Sequence, residues 1–327
     1  MKKLAEEIKS GELKQVYILY GEEAYLRGQY KDKLKKALLG EGDPMNLHYF
    51  EGKDIRPGEV IDLAETMPFL AERRVIILEN SGLFARGGEE LSEYLKTPAQ
   101  TAYFVFVEPT VDKRSKLYKA ATARGRAIEF TAQDEATLKR GILGFLKKEN
   151  KNITERDLNL FLDKTGSDMA NIRGELEKLV CYCMGRDVVT AQDIEAVCTV
   201  QVSNQIFRMI DAVAEKRQKT AMELYYDLLA LKEEPMHILA LITRQFNLLL
   251  QVKELRNKGL DAQAIGKKVG VADFVARKCM AQAAKFKEDN LRTALIDCVE
   301  SEEAVKTGRM NKVMSVELLI VKYSTAS

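Results

Sequence analysis

The chain has 327 residues, more than a single hydrophobic core usually serves, so two or three domains are expected. Hydrophobic residues at 46% and charged residues at 31% exclude a disordered chain, and 51 basic against 49 acidic residues leave a net charge of +2, which excludes a whole-chain field for polyanions. The longest apolar runs, such as 75–78 and 103–107, fall far below the roughly 18 residues of a membrane span, and the lysine-rich start lacks a continuous apolar segment, so a cytoplasmic protein with neither span nor secretion signal is expected.

Residues 16–20 read as a buried strand ending at Gly21. A long lysine-rich helix follows, its apolar side marked by Ala24, Tyr25, Leu34, Ala37, Leu38 and Leu39. Residues 47–50 predict a second strand. Asp54 suits a turn cap, and Pro57 suits the first position of a helix running through Val60, Ile61 and Ala64 towards Met67, with Pro68 stopping it. Residues 75–78 and 103–107 are apolar at successive positions, which predicts strands covered on both faces. A helix about 115–123 and a fifth strand at 127–130 complete a βαβαβαβαβ order, the pattern of a parallel α/β sheet with helices on both sides.

After residue 131 strand signals almost vanish. Short helices are predicted at 134–149, 154–165, 168–184 and 190–197, with Thr154, Asp168 and Thr190 as N-caps, and Asp193 stands three residues after Thr190 as in a capping box. Longer helices follow at 204–215, 219–232, 235–258, 261–269, 272–285, 288–306 and 315–323. In the third of these, Ile238, Leu239, Ile242, Phe246, Leu249 and Leu250 form an apolar stripe that reads as core.

Five cysteines form no C-x-x-C pair, and Cys181 and Cys183 are separated by one residue, too close for a usual zinc knuckle; a reduced setting fits. His48 and His237 are the only imidazoles and stand far apart, so a histidine metal site or a Ser-His-Asp hydrolase is not expected and each is assigned a packing or surface role. No catalytic, cofactor-binding or metal-binding residue is expected. A phosphate loop after the first strand would need G-x-x-x-x-G-K-[ST], whose amides and lysine hold the phosphates. The segment Gly21-Glu22-Glu23-Ala24-Tyr25-Leu26-Arg27-Gly28-Gln29 instead puts two carboxylates where phosphate would sit, and these complement the positive end of the next helix. Glu79-Asn80 resembles an acidic metal-holding strand end, which has no function without that loop.

Met67-Pro68-Phe69-Leu70-Ala71-Glu72-Arg73-Arg74 places two large apolar residues at a turn. They either fold onto the core, which burial tendencies favour, or project as an anchor for a partner. Arg73-Arg74 and Lys113-Arg114 read as solvated basic pairs. Between Lys253 and Lys287 nine basic residues stand against three acidic ones, which reads as a solvated, mildly electropositive face.

The stretch Val16-Tyr17-Ile18-Leu19-Tyr20-Gly21-Glu22-Glu23-Ala24-Tyr25-Leu26, the anchor segment through Val75, Ile172-Arg173-Gly174-Glu175-Leu176-Glu177-Lys178-Leu179 and Lys306-Thr307-Gly308 occur in an order and spacing that, over essentially the whole chain, resembles the delta-subunit family of the bacterial DNA polymerase III clamp loader, within the AAA+ clamp-loader group. The resemblance implies a RecA-like α/β domain without a phosphate loop over 1–138, a helical lid domain over 139–207 and a helical collar domain over 208–327 through which loader subunits assemble. It implies a DNA replication protein that is not itself an enzyme and needs no cofactor. Such a subunit binds the beta sliding clamp and opens its ring for loading on primed DNA, while neighbouring delta prime and gamma or tau subunits supply the ATPase cycle. The family's pair of adjacent apolar clamp-binding residues falls on Phe69 and Leu70, flanked by Met67 and Pro68. Two other readings stay open: an NTPase of the same fold with a degenerate phosphate loop, and a DNA-binding adaptor with an unrelated partner.

Overall fold

In a computed structural model describing residues 2–40, 44–199 and 201–325, the chain divides after Ala132 into two units. The first is built on five parallel strands, β1 (Val16–Tyr20), β2 (Leu47–Glu51), β3 (Arg74–Glu79), β4 (Ala102–Glu108) and β5 (Gly125–Glu129), arranged β2-β3-β4-β1-β5. The helices are α1 (Lys2–Ser10), α2 (Ala24–Leu39), α3 (Pro57–Glu65), α4 (Glu89–Tyr94) and α5 (Lys116–Arg124). Alternate residues of the central strands feed two separate cores, because successive side chains leave opposite faces of a sheet. Val16, Ile18, Ile76, Leu78, Phe104 and Phe106 pack with Val60 of α3, Leu91 of α4 and Leu117 of α5. Tyr17, Leu19, Val75, Ile77, Val105 and Val107 pack on the other face with Leu4 of α1 and with Leu34 and Leu38 of α2. Two-sided burial is why these strands read as unbroken apolar runs.

β5 starts two residues before the pattern placed it. At Gly125 a Cβ would stand 1.6 Å from the Val16 carbonyl oxygen, so the strand approaches β1 only because that residue has no side chain. Helices α1 and α4 were not expected from the sequence, α4 being only six residues long.

The second unit contains α6 (Glu135–Lys148), α7 (Glu155–Thr165), α8 (Met169–Tyr182) and α9 (Ala191–Val197), then α10 (Val202–Ala214), α11 (Gln218–Ala230), α12 (Pro235–Asn257), α13 (Ala262–Val269), α14 (Asp273–Ala284), α15 (Glu288–Lys306) and α16 (Lys312–Ser324). The side chains of Thr154, Asp168 and Thr190 all accept amide hydrogen bonds as N-caps, and Asp193 closes the capping box by accepting from the Thr190 amide at 2.9 Å. Asp193 also accepts from Arg186 at 2.9 Å. A two-residue parallel pairing, β6 (Asn152–Ile153) with β7 (Val188–Val189), is too short to leave a sequence pattern. The first four helices share one buried cluster, which Phe274 of α14 joins. The later helices share another that contains the whole predicted stripe of α12, from Ile238 to Leu250. Part of the cationic surplus between 253 and 287 is engaged internally: Lys285 bridges Asp211 and Glu215 at 2.7 and 2.6 Å, and Lys278 meets Asp163 at 2.7 Å.

All five cysteines are free, with Cys183, Cys198, Cys279 and Cys298 buried. Among the described residues no cluster of three or more His, Cys, Asp or Glu could hold a metal ion, and no helix is long and apolar enough to cross a membrane.

Candidate partner-docking site

Helix α3 begins with Pro57 at its first turn and stops at Glu65, one residue before Thr66 turns to extended backbone. The chain then crosses Met67-Pro68-Phe69-Leu70 before entering β3. Contrary to the burial tendency of large apolar residues, this segment turns outward: Met67 is 76% exposed, Phe69 53% and Leu70 91%. Leu70 also has φ +47, a left-handed conformation that costs a branched residue on the order of 1–2 kcal/mol. Strain and exposure at one large apolar side chain are a double expense that a structural turn would avoid by using glycine.

Buried polar side chains hold this segment from beneath. Asn46 is fully buried in the 3-10 turn Pro44–Asn46 that leads into β2. Its Oδ1 accepts from the Phe69 amide at 2.7 Å and its Nδ2 donates to the Phe69 carbonyl at 2.8 Å. Arg74, at the start of β3, donates from Nε to the Thr66 carbonyl at 2.9 Å and from Nη2 to the Met67 carbonyl at 2.8 Å, satisfying two acceptors of the extended segment just beyond α3. Its Nη1 meets His48 Nε2 at 2.6 Å. Since a guanidinium only donates, Nε2 is the acceptor and the imidazole is neutral. Burial first, then the Arg74 charge, push the His48 pKa below its ordinary value against a bond to the Met45 backbone.

Arg74 corrects the solvated basic pair expected at 73–74. It is only 6% exposed, while Arg73 alone lies near the surface, 5.1 Å from the Tyr103 ring centroid. Lys113 and Arg114 are exposed as expected, Lys113 reaching Glu129 at 3.0 Å. His48 takes a packing role, supporting Arg74. His237 is exposed on α12 and meets Glu233 at 2.9 Å.

The place where a phosphate loop would stand is occupied by the chain's own groups. The Gly21 amide donates to the Glu108 carbonyl at 3.3 Å and the Glu23 amide to the Phe130 carbonyl at 3.0 Å, so two amides at this turn are already used. At the strand ends Glu79 pairs with Lys31 at 2.7 Å. Glu108 is buried, which pushes its pKa up, and it accepts from the Ser81 hydroxyl and, at 2.9 Å, from the Ser81 amide. Burial lowers the pKa of Arg27, against the attraction of Glu79, Glu108 and Glu23. The crevice where such sheets usually bind a nucleotide is thus lined with carboxylates paired to internal partners.

Asn46 and Arg74 had no sequence signal as site residues. An asparagine before a strand and an arginine inside a basic pair look like any surface residues until the fold brings them beneath Phe69 and Met67.

Two family models match the chain: "DNA polymerase III, delta subunit" over residues 17–131 and "DNA polymerase III delta subunit, C-terminal domain" over residues 203–323. The chain is 29% identical to the DNA polymerase III subunit delta of Bacillus subtilis, covering 96% of this chain and 94% of that protein. It is 22% identical to the probable DNA polymerase III subunit delta of Aquifex aeolicus, over 86% of this chain and 83% of that one. Among solved structures it is similar to the Bacillus subtilis DNA clamp loader delta protein (YqeN), with TM-score 0.77 and 26% identity over 99% of both chains.

Proposed function

The chain belongs to the delta-subunit family of DNA polymerase III, and on that premise we propose that it binds the ring-shaped beta sliding clamp through Met67, Pro68, Phe69 and Leu70 and opens the ring for loading on primed DNA. The observation that carries this reading is the outward, strained Leu70 beside a half-exposed Phe69, two adjacent apolar side chains available to an apolar pocket. Docking alone opens nothing. A ring is sprung only if the subunit binds the open form more tightly than the closed one, so the sheet and helices around the anchor must fit the closed interface poorly.

We assign no ATP hydrolysis to this chain. The amides of Gly21 and Glu23 are bonded to main-chain carbonyls, Glu22 and Glu23 would repel a triphosphate, and no lysine precedes a hydroxyl there. Saturable ATP binding to the isolated chain in calorimetry is therefore not expected; its detection would favour the NTPase reading. The unit up to Ala132 then acts as the clamp-binding RecA-like domain expected over 1–138, α6–α9 as the lid expected over 139–207 and α10–α16 as the collar expected over 208–327, joining delta prime and gamma or tau in a cytoplasmic replication machine. The long helices of the last segment, built around α12, suit a bundle that continues across chains.

The deciding experiment is capture of purified beta clamp by the purified chain on a sizing column. A complex that forms without ATP supports the reading. Failure of the folded chain to retain the clamp, with DNA binding kept, would favour the adaptor.

A further inference from the structure

We propose that Asn46 and Arg74 are positioning residues that preorganise the docking segment, holding Phe69 and Leu70 in their outward conformation before any partner arrives. The proposal rests on the clamp-binding reading and adds how that site is built. Four main-chain groups of the segment, the Thr66 and Met67 carbonyls and the Phe69 amide and carbonyl, are bound by these two side chains, which come from different elements. Each carries its polar atoms into a buried position, 0% exposed for Asn46 and 6% for Arg74, while the apolar side chains of the same segment stand outside. A turn needing only to connect α3 to β3 would have no use for a buried amide spent on both polar groups of one exposed residue. Asn46 fixes the peptide groups on both sides of the Phe69 Cα, and the second of these leads directly into Leu70 at φ +47. Without that clamp the segment samples conformations with the left-handed residue relaxed, and only the fraction still outward can dock.

Loss of a preorganising contact has a kinetic signature. The contacts made by Phe69 and Leu70 in the complex are unchanged, so the dissociation rate stays put while the association rate falls with the competent fraction. Asn46→Ala in the full chain, measured against immobilised beta clamp, is expected to lower the association rate tenfold or more with the dissociation rate within twofold of wild type. Asn46→Asp keeps an acceptor for the Phe69 amide but sets a carboxylate against its carbonyl, and is expected to fall between the two. Hydrogen exchange read without any partner makes the same point: the Phe69 amide is protected in the wild type and exchanges at least tenfold faster in Asn46→Ala.

An Asn46→Ala chain with wild-type association rate and unchanged Phe69 exchange overturns the proposal. So does a variant whose melting temperature falls while both readouts on the folded fraction stay at wild-type values, since that is the behaviour of a purely structural residue. If the wild type itself fails to bind the clamp, the docking reading fails, and the exchange measurement still decides whether Asn46 orders the segment.

Discussion

Replacing Phe69 and Leu70 together by alanine is expected to abolish stable clamp binding and to leave the melting temperature within a few degrees of wild type. Fully burying a side chain of this size in a partner's pocket is worth about 1.5–3 kcal/mol. Leu70, 91% exposed, has nearly all of that to gain on docking, while Phe69 at 53% has already hidden part of its surface. The sum is about 2–4 kcal/mol, on the order of thirtyfold to a thousandfold in affinity. In the free chain the substitutions remove little packing, and alanine at φ +47 is no worse placed than leucine. Had the two residues been core, the same change would have cost several kcal/mol of folding stability. Sizing-column capture together with thermal melting separates the cases: a large melting loss with clamp affinity per folded molecule unchanged would refute the anchor assignment.

Gly21→Ala should be among the most damaging single substitutions in the α/β unit. Gly21 leaves β1 with φ +123, and a Cβ there would stand 2.3 Å from the Phe130 carbonyl oxygen and 2.8 Å from its carbon. That backbone cannot easily retreat. The Phe130 amide donates to the Tyr20 carbonyl at 2.7 Å, its carbonyl accepts from Glu23 at 3.0 Å, and its ring is fully buried against Tyr30. Overpacking of about 1–3 kcal/mol adds to backbone strain of about 1–3 kcal/mol, for a loss of about 2–6 kcal/mol and a melting temperature lower by roughly ten degrees. Gly28→Ala, inside α2 with open space around its Cα, serves as the control and should stabilise by up to about 1 kcal/mol. Equal melting of the two variants would contradict the close approach of Gly21 to Phe130.

The α/β class, the four strands nearest the sheet centre and β2 edge, the caps at Thr154, Asp168 and Thr190 and the core stripe of α12 were all legible in the sequence, because each depends on local chemistry. A strand buried on both faces must be apolar throughout, a helix start rewards a side-chain acceptor, and a helix with one buried side repeats its apolar residues every three or four positions. The family, too, was legible, since the order of its weak motifs survives in the linear chain.

What needed the tertiary structure were contacts between residues distant in sequence and choices that local chemistry leaves balanced. The direction of Phe69 and Leu70 was one. Hydrophobicity favours the core for both, yet they stand outward on a backbone bound at Phe69 by Asn46, 23 residues away, and at Thr66 and Met67 by Arg74. Arg74 was another: adjacent to Arg73 it read as solvated, yet it is buried because its three nitrogens find the Thr66 and Met67 carbonyls and His48 in one place. The start of β5 was a third, where Gly125 is required by the approach of Val16 rather than by any pattern of its own. A sequence encodes such arrangements through shape and the pairing of buried polar groups, and neither has a period along the chain to be read.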